Sequence, residues 1–120
     1  MDYTDITFEL DDGVATITLD RPDHLNAFTG AMGESLSRAY RYCDETDEVK
    51  AVVVTGRGRA FCAGADMSEG ASTFDASGKG EFSAAGVEFP AFRVRKLVIA
   101  AMNGHAVGIG FTLALQADLR

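Results

Sequence analysis

Three very small residues, Ala63, Gly64 and Ala65, stand together in the stretch RAFCAGAD, directly after the apolar run KAVVVTG. Small side chains bury little surface, but they let another molecule approach the backbone closely. A second stretch, NGHAVGIG, repeats this arrangement after the apolar run VIAAM. Unpaired backbone N–H groups in two such turns can converge on one carbonyl oxygen and form an oxyanion hole. The two turns therefore predict a site that stabilises a developing negative charge.

Each glycine turn is also open to a purely structural interpretation. Glycine is common between strands and helices because it tolerates positive φ, so either turn alone is accounted for by its backbone. The stretches GRGRAF and GIGFTL both begin as G-x-G, but neither completes the G-x-G-x-x-G of a dinucleotide site. The stretch SGKGE lacks the Ser or Thr after Lys79 and the upstream glycine of a phosphate loop. We interpret all three as chance matches.

The first half of the chain shows a hairpin followed by a helix. The stretch ITFELDDGVATITLD alternates apolar and polar residues on both sides of an Asp-Gly turn, which predicts two half-buried strands. Pro22 ends this pattern, and Thr29 is placed to cap a helix that runs to about Glu45. The spacing of apolar residues gives this helix one buried face. Its members are Met32, Leu36, Ala39, Tyr40 and Cys43.

The second half supplies the strands that lead into the two turns. KAVVVTG is a continuous apolar strand, which is typical of burial on both faces. VIAAM is the next strand, and the second glycine turn opens a helix with predicted packing residues Phe111, Leu113, Ala114 and Leu115. The stretch from Ser68 to Gly86 is rich in Gly, Ser and Ala, which predicts a mobile loop. The order strand–strand–helix–strand–loop–strand–helix predicts an α/β fold.

Composition and charge narrow the class of protein. The chain has 120 residues, a size suited to one domain, with 47% apolar residues, 24% charged residues and a formal charge of −7. This acidic balance argues against nucleic-acid binding, which needs clustered Lys and Arg. The apolar runs are too short to span a membrane, and the acidic start is unlike a signal peptide. Cys43 and Cys62 lack metal-type spacing, so we expect two reduced thiols, no metal site and a cytoplasmic location.

The paired turns, taken in order, resemble a known family. FCAGADM, followed about forty residues later by NGHAVGIG, is similar to the crotonase superfamily of enoyl-CoA hydratases and isomerases. ATITLDRPDHLNAF and FPAFRVRKLVIAAMNGHAVGIGF support the resemblance, which covers essentially the whole chain. It implies an α/β spiral of ββα turns, with residues 1–120 as the N-terminal portion of an acyl-CoA-binding domain and the C-terminal part absent. It also implies an acyl-coenzyme A thioester as substrate, no permanently bound cofactor, and assembly as homo-trimers or hexamers.

The resemblance also implies roles for particular residues. It places the two oxyanion donors at the backbone N–H groups of Ala65 and Ile109. Ile109 stands where family members usually carry glycine, so its side chain must point away from the acyl pocket. His24 and Arg59 are candidates to face the phosphates of the coenzyme, and a solvated surface charge is the alternative for each. The full set implied to contact the coenzyme is Ala63, Gly64, Ala65, Asp66, Met67, Ser68, His24, Arg59 and Gly108.

The chain departs from the hydratase pattern at its catalytic acids. Thr112 occupies the position of the first glutamate, and the second would lie some twenty residues further on, beyond Arg120. A threonine hydroxyl is not a useful base near neutral pH, so one-acid chemistry such as double-bond isomerisation fits better than hydration. We interpret Asp66 as a helix cap. Asp20 and Asp118 are interpreted as strand-edge or solvated carboxylates. Glu69, Glu81 and Glu88 lie in or near the predicted loop, where a catalytic role stays open as the less favoured alternative.

Three functions remain open from the sequence. The first is an enoyl-CoA hydratase or isomerase that stabilises a thioester enolate. The second is a non-catalytic acyl-CoA-binding or assembly fragment that lacks the catalytic glutamates. The third, from another class, is a small α/β domain that binds a nucleotide through its glycine turns.

Overall fold

The computed structural model describes residues 2–66 and 86–120. Its elements, in chain order, are β1 (Ile6–Asp11), β2 (Val14–Leu19), α1 (Gly30–Glu45), β3 (Ala51–Gly56), β4 (Ala60–Cys62), β5 (Leu97–Ala100), β6 (His105–Ala106) and α2 (Ile109–Leu115). Two short 3₁₀ turns lie at Pro22–His24 and Ala91–Arg93. This order confirms the α/β class. The predicted mobile loop lies, apart from Gly86, outside the described residues, as does Met67.

Four strands form one sheet in the order β1–β2–β3–β5. The hairpin is confirmed: β1 and β2 are antiparallel, with Ile6 opposite Leu19. Its turn is made by Asp12 at φ 50° and Gly13 at φ 83°, and positive φ at both central residues matches the twist of a two-residue hairpin. The β2–β3 and β3–β5 pairs are parallel.

Helix α1 packs on this sheet as its pattern predicts. The side chain of Thr29 accepts a hydrogen bond from Met32 N at 3.0 Å, which confirms the predicted N-cap. The five residues predicted for its inner face are all buried. They pack with the inward-facing residues of the sheet, Ala15, Ile17, Leu19, Val52, Val54, Val98 and Ala100.

Two expectations about burial are wrong for the described residues. Strand β3 is buried on one face only: Val52 is fully buried, whereas Val53 is partly exposed and the neighbouring Leu97 is 45% exposed. The reason is that α1 covers just one face of the sheet. In α2, Leu113 and Ala114 are buried, but Phe111 and Leu115 are 52% and 49% exposed. This short helix packs on one side against β4 and β6, and Phe111 and Leu115 are left on its open side.

A second, two-stranded sheet pairs β4 with β6 in parallel. These strands are short, yet they join the two halves of the chain, since Ala60 pairs with His105 and Cys62 with Ala106. Within the described ranges, no helix has the length and apolar character needed to cross a membrane.

Candidate active site

The two glycine turns lie side by side at the ends of β4 and β6. Parallel strands end at the same edge of a sheet, so the turns that follow them emerge together. Val107 N donates to Cys62 O at 3.1 Å across this edge. A Cβ atom added to Gly64 would lie 3.3 Å from Val107 O, and one added to Gly108 would lie 4.0 Å from Gly64 Cα. The two turns therefore lie side by side, and a side chain on either glycine would reach the backbone of the other turn, which the sequence alone could not establish.

Three positions in the turns require glycine, and the reasons differ. Gly64 and Gly108 have φ values of +113° and +56°, and residues with a side chain are strained at such positive φ. Gly110 has another role, because a Cβ there would lie 2.0 Å from Cys62 O. Gly110 thus lets α2 pack directly on β4. A side chain at Gly110 would thus not fill space meant for a ligand, because it would collide with the backbone of β4.

The first candidate donor, Ala65 N–H, is aimed by the hydrogen bonds of its neighbours. Phe28 N donates to Gly64 O at 2.7 Å, and Asp66 N donates to Phe28 O at 2.9 Å. Gly64 C=O and Ala65 N–H belong to one planar trans peptide, so they point in opposite directions. The N–H of Ala65 therefore points away from Phe28. It has no acceptor among the described residues.

The second candidate donor, Ile109 N–H, is fixed in the same way. Gly108 O accepts hydrogen bonds from Thr112 N at 3.1 Å and from the Thr112 hydroxyl at 3.4 Å. The trans peptide then points the N–H of Ile109 out of the start of α2, where the described part of the chain offers it no acceptor. The Ile109 side chain is only 6% exposed and belongs to the core cluster, so it is turned inward as expected.

The loop between β2 and α1 holds the first turn. Its two main residues, Asn26 and Arg21, were not predicted from the sequence. Asn26 is fully buried at φ 57°. Its side-chain amide donates to Arg57 O at 3.0 Å and Ala60 O at 2.9 Å, and its Oδ1 accepts from Arg21 N at 2.7 Å. The Arg21 guanidinium reaches Asp66 at 2.9 Å. An Asn a few residues beyond the turn proline was the available signal, since Asn tolerates a left-handed backbone.

The other residues predicted to contact the coenzyme differ in their surroundings. Ala63 N donates to Leu25 O at 3.0 Å, which places Ala63 in the same loop contact. His24 and Arg59 are both exposed. Met67 and Ser68 lie outside the described residues. The Asp66 carboxylate accepts from Arg21, and the helix it was expected to cap would begin in that same undescribed stretch.

Asp20 and Asp118 take part in the structural contacts expected of them. Asp20 pairs with Arg57 at 2.7 Å, and the Asp118 carboxylate accepts from Val98 N at 2.9 Å, so both are strand-edge groups. Thr112 is exposed. Glu69 and Glu81 are not described. In the described ranges, no group of His, Cys, Asp and Glu is arranged to hold a metal ion.

A separate cavity of about 240 Å³ lies between α1 and the segment that follows Gly86. It shares no residue with the two turns. Its lining is mixed in charge, and it comprises Glu34, Ser37, Arg38, Arg41, Gly86, Glu88 and Phe89.

Comparison with known proteins identifies the family. Residues 9–120 match the model of the enoyl-CoA hydratase/isomerase family. A probable peroxisomal enoyl-CoA hydratase 1 from Arabidopsis thaliana is 39% identical over 107 residues, which cover 89% of this chain and 40% of that protein. The 1,2-epoxyphenylacetyl-CoA isomerase of Escherichia coli K12 is 36% identical over 95% of this chain and 45% of its own length.

Solved structures agree. The crystal structure of a probable enoyl-CoA hydratase/isomerase from Mycobacterium abscessus has a TM-score of 0.84 and 47% identity, and the match covers 96% of this chain and 44% of that one. The chain belongs to the enoyl-CoA hydratase/isomerase family, within the crotonase superfamily, and has its N-terminal fold. It spans less than half the length of the Arabidopsis and Escherichia coli relatives.

Both cysteines lie in the hydrophobic core, and the Cys62 thiol is 3.9 Å from Gly64 O, whose peptide carries the first proposed donor. Both are free and buried. Burial raises the pKa of the Cys43 thiol to about 11, and it also raises the pKa of Cys62 above its usual value. Only the thiolate reacts readily, so a raised pKa and burial both slow alkylation.

We predict that, at pH 8, iodoacetamide labels both thiols of the folded chain at least about 100-fold more slowly than it labels the chain in urea. Labelling should accelerate as the pH rises toward the raised pKa values, because the thiolate fraction grows. Mass spectrometry of timed samples measures this. Rapid labelling of Cys62 in the folded chain would show that β4 is more open than described.

Proposed function

We propose that the chain binds an acyl-coenzyme A thioester and stabilises its enolate between the N–H groups of Ala65 and Ile109. The observation that carries this proposal is that both donors lack an acceptor among the described residues, while the carbonyl of each donor's peptide is held by a hydrogen bond. Each N–H is thus fixed in direction before a ligand arrives. The turns that carry them lie side by side.

The chemistry follows from the charge that a thioester develops. When its α-carbon loses a proton, or a nucleophile adds to its β-carbon, negative charge collects on the carbonyl oxygen. Two preorganised N–H groups stabilise that oxygen without having to reorient. Loss of one such donor typically costs about 3–4 kcal/mol, or about 10²–10³ in rate.

The small turn and the nearby basic residues offer a path for the coenzyme. We propose that Ala63, Gly64, Ala65 and Asp66 line it on one side, with Gly108 opposite. We also propose coenzyme contacts for Met67 and Ser68, which lie outside the described residues. His24 and Arg59 are both exposed, so their side chains are available to the phosphates.

Double-bond isomerisation is the preferred reaction, and hydration is the alternative. Thr112 provides a neutral hydroxyl, and that hydroxyl already contacts Gly108 O. Relatives carry both kinds of name, as the Arabidopsis hydratase and the Escherichia coli isomerase show.

A second candidate function is acyl-CoA binding without catalysis. One observation favours it: Asp66, the carboxylate next to the first donor, is paired with Arg21 at 2.9 Å. A carboxylate oxygen that already accepts a hydrogen bond from a guanidinium is less accessible to a substrate. In either case, we propose that the protein acts in acyl-CoA metabolism in the cytoplasm.

Substitutions at Ala65 separate backbone from side-chain function. Ala65→Pro deletes the N–H and should lower turnover of an enoyl-CoA by the whole protein about 10²–10³-fold. Ala65→Gly and Ala65→Ser keep the donor and should retain most activity. The affinity for coenzyme A itself, which has no acyl carbonyl, should fall much less than turnover.

Proline also restricts the backbone of the residue before it, so the experiment needs a control that the variant is folded. Circular dichroism and a melting curve on each variant provide that control. Parent-level turnover by a normally folded Ala65→Pro variant would refute the oxyanion assignment and leave packing as the reason for the small turn. If neither the parent nor the variants turn over the enoyl-CoA, but all retain affinity for acyl-CoA, the binding function is favoured.

We further propose that the chain assembles with copies of itself, as homo-trimers or hexamers. Leu113 is buried, but Phe111, Leu115 and Leu119 are about half exposed. Light scattering should show a mass above the monomer that rises with concentration. Phe111→Ser combined with Leu115→Ser should reduce it. A monomer at every concentration would contradict this assembly.

A further inference from the structure

We infer that Arg21 is a positioning residue that sets the direction of the Ala65 N–H, a role that rests on the function proposed above. Arg21 lies two residues after the end of β2, far in sequence from the turn that it contacts. Its side chain is 14% exposed, which is unusually low for an arginine. A guanidinium kept this far from water is expected to be fully engaged by hydrogen bonds.

The guanidinium joins three segments of the chain. Its Nη1 donates to Ala27 O at 2.6 Å, and its Nη2 donates to Asp66 Oδ2 at 2.9 Å. Its Nε lies 3.9 Å from Asp5 Oδ1. Asp5 in turn accepts from the hydroxyl of Thr29, the N-cap of α1, at 2.6 Å. Arg21 therefore connects the donor turn to the start of the main helix.

The two hydrogen bonds of Arg21, to Ala27 and to Asp66, lie on either side of the backbone hydrogen bond that orients the Ala65 N–H. Ala27 precedes Phe28, and Asp66 follows Ala65. Between them, Phe28 N donates to Gly64 O at 2.7 Å. Rotation of the Gly64–Ala65 peptide would break this bond and turn a carbonyl toward the thioester. By holding Ala27 and Asp66 to one rigid group, Arg21 opposes the separation that such a rotation needs.

Only arginine has the geometry for this task. Its planar fork presents several N–H groups in fixed directions, so one side chain can donate to a carbonyl and a carboxylate at once. Lysine keeps the charge but is a compact point charge on a flexible stem. Arg21→Lys should therefore keep the attraction to Asp66 and lose the fixed geometry.

The chain offers a matched control. Arg57 pairs with Asp20, the residue that precedes Arg21, at 2.7 Å and at the same end of the sheet. Its side chain is 51% exposed, and its guanidinium contacts Asp20 rather than Ala27 or Asp66. Arg57→Met removes an arginine and an ion pair without touching the donor turn.

The test is amide hydrogen exchange, resolved by NMR, on the parent chain and on Arg21→Met, Arg21→Lys and Arg57→Met. We expect the Phe28 and Asp66 amides to exchange at least about tenfold faster in Arg21→Met, and less so in Arg21→Lys. Amides in the middle of α1 should keep their parent rates, and Arg57→Met should match the parent. Asp66→Asn, which keeps the shape of the side chain, should reproduce the Arg21→Met pattern if the latter folds poorly.

Two results would overturn the inference. One is unchanged exchange at Phe28 and Asp66 in a folded Arg21→Met variant. The other is an equal acceleration of all amides, α1 included, which would make Arg21 a general stabilising residue. Neither result depends on a ligand.

A second readout reports on the donor itself. Hydrogen bonds to the carbonyl of a conjugated dienoyl-CoA polarise it and shift its absorption band to longer wavelength. We expect the parent and Arg57→Met to produce the shift, and Arg21→Met to bind the dienoyl-CoA with a smaller shift. An equal shift in Arg21→Met would count against the inference. A parent that binds without any shift would instead count against the proposed oxyanion hole, and the exchange data would still decide the role of Arg21.

Discussion

The hydrogen bond from Phe28 N to Gly64 O, at 2.7 Å, is the interaction on which the candidate site depends. A peptide plane has two ends, and holding its carbonyl on one side fixes the direction of its N–H on the other. At Ala65 this leaves an N–H aimed away from the supporting loop. The same device recurs at Ile109, where Thr112 holds the carbonyl of Gly108. Two donors are thus fixed by bonds to atoms that take no part in the proposed chemistry.

The rest of the fold can be understood as support for those two peptides. The parallel pairing of β4 and β6 places both turns at one edge, and Gly110 lets α2 pack against β4 without a gap. Behind the first turn, the buried Asn26 satisfies two backbone carbonyls and the amide of Arg21. A buried polar side chain is tolerated only when it is satisfied in this way. Preorganisation at the site is thus maintained by an interior that is well packed and well hydrogen-bonded.

Local patterns predicted the local structure correctly. The hairpin, the N-cap at Thr29 and the buried face of α1 all follow from periodicity and capping, which depend on residues a few positions apart. The roles of Arg21 and Asn26 could not be found this way, because their partners Asp66 and Ala60 lie 45 and 34 residues further along the chain. The exposed face of β3 and the exposure of Phe111 were also missed. An apolar residue shows that burial is favourable, but it does not show which element is present to cover it.

The central claim is that Ala65 N–H and Ile109 N–H bind the same acyl oxygen. Its most direct measurement is the amide proton shift of both residues as an acyl-CoA thioester is added to the chain. The account predicts that both amide protons move downfield together, and that coenzyme A, which lacks the acyl carbonyl, moves neither to a comparable extent. Binding of the thioester with no shift at Ala65, or with the same shifts that coenzyme A produces, would contradict the account.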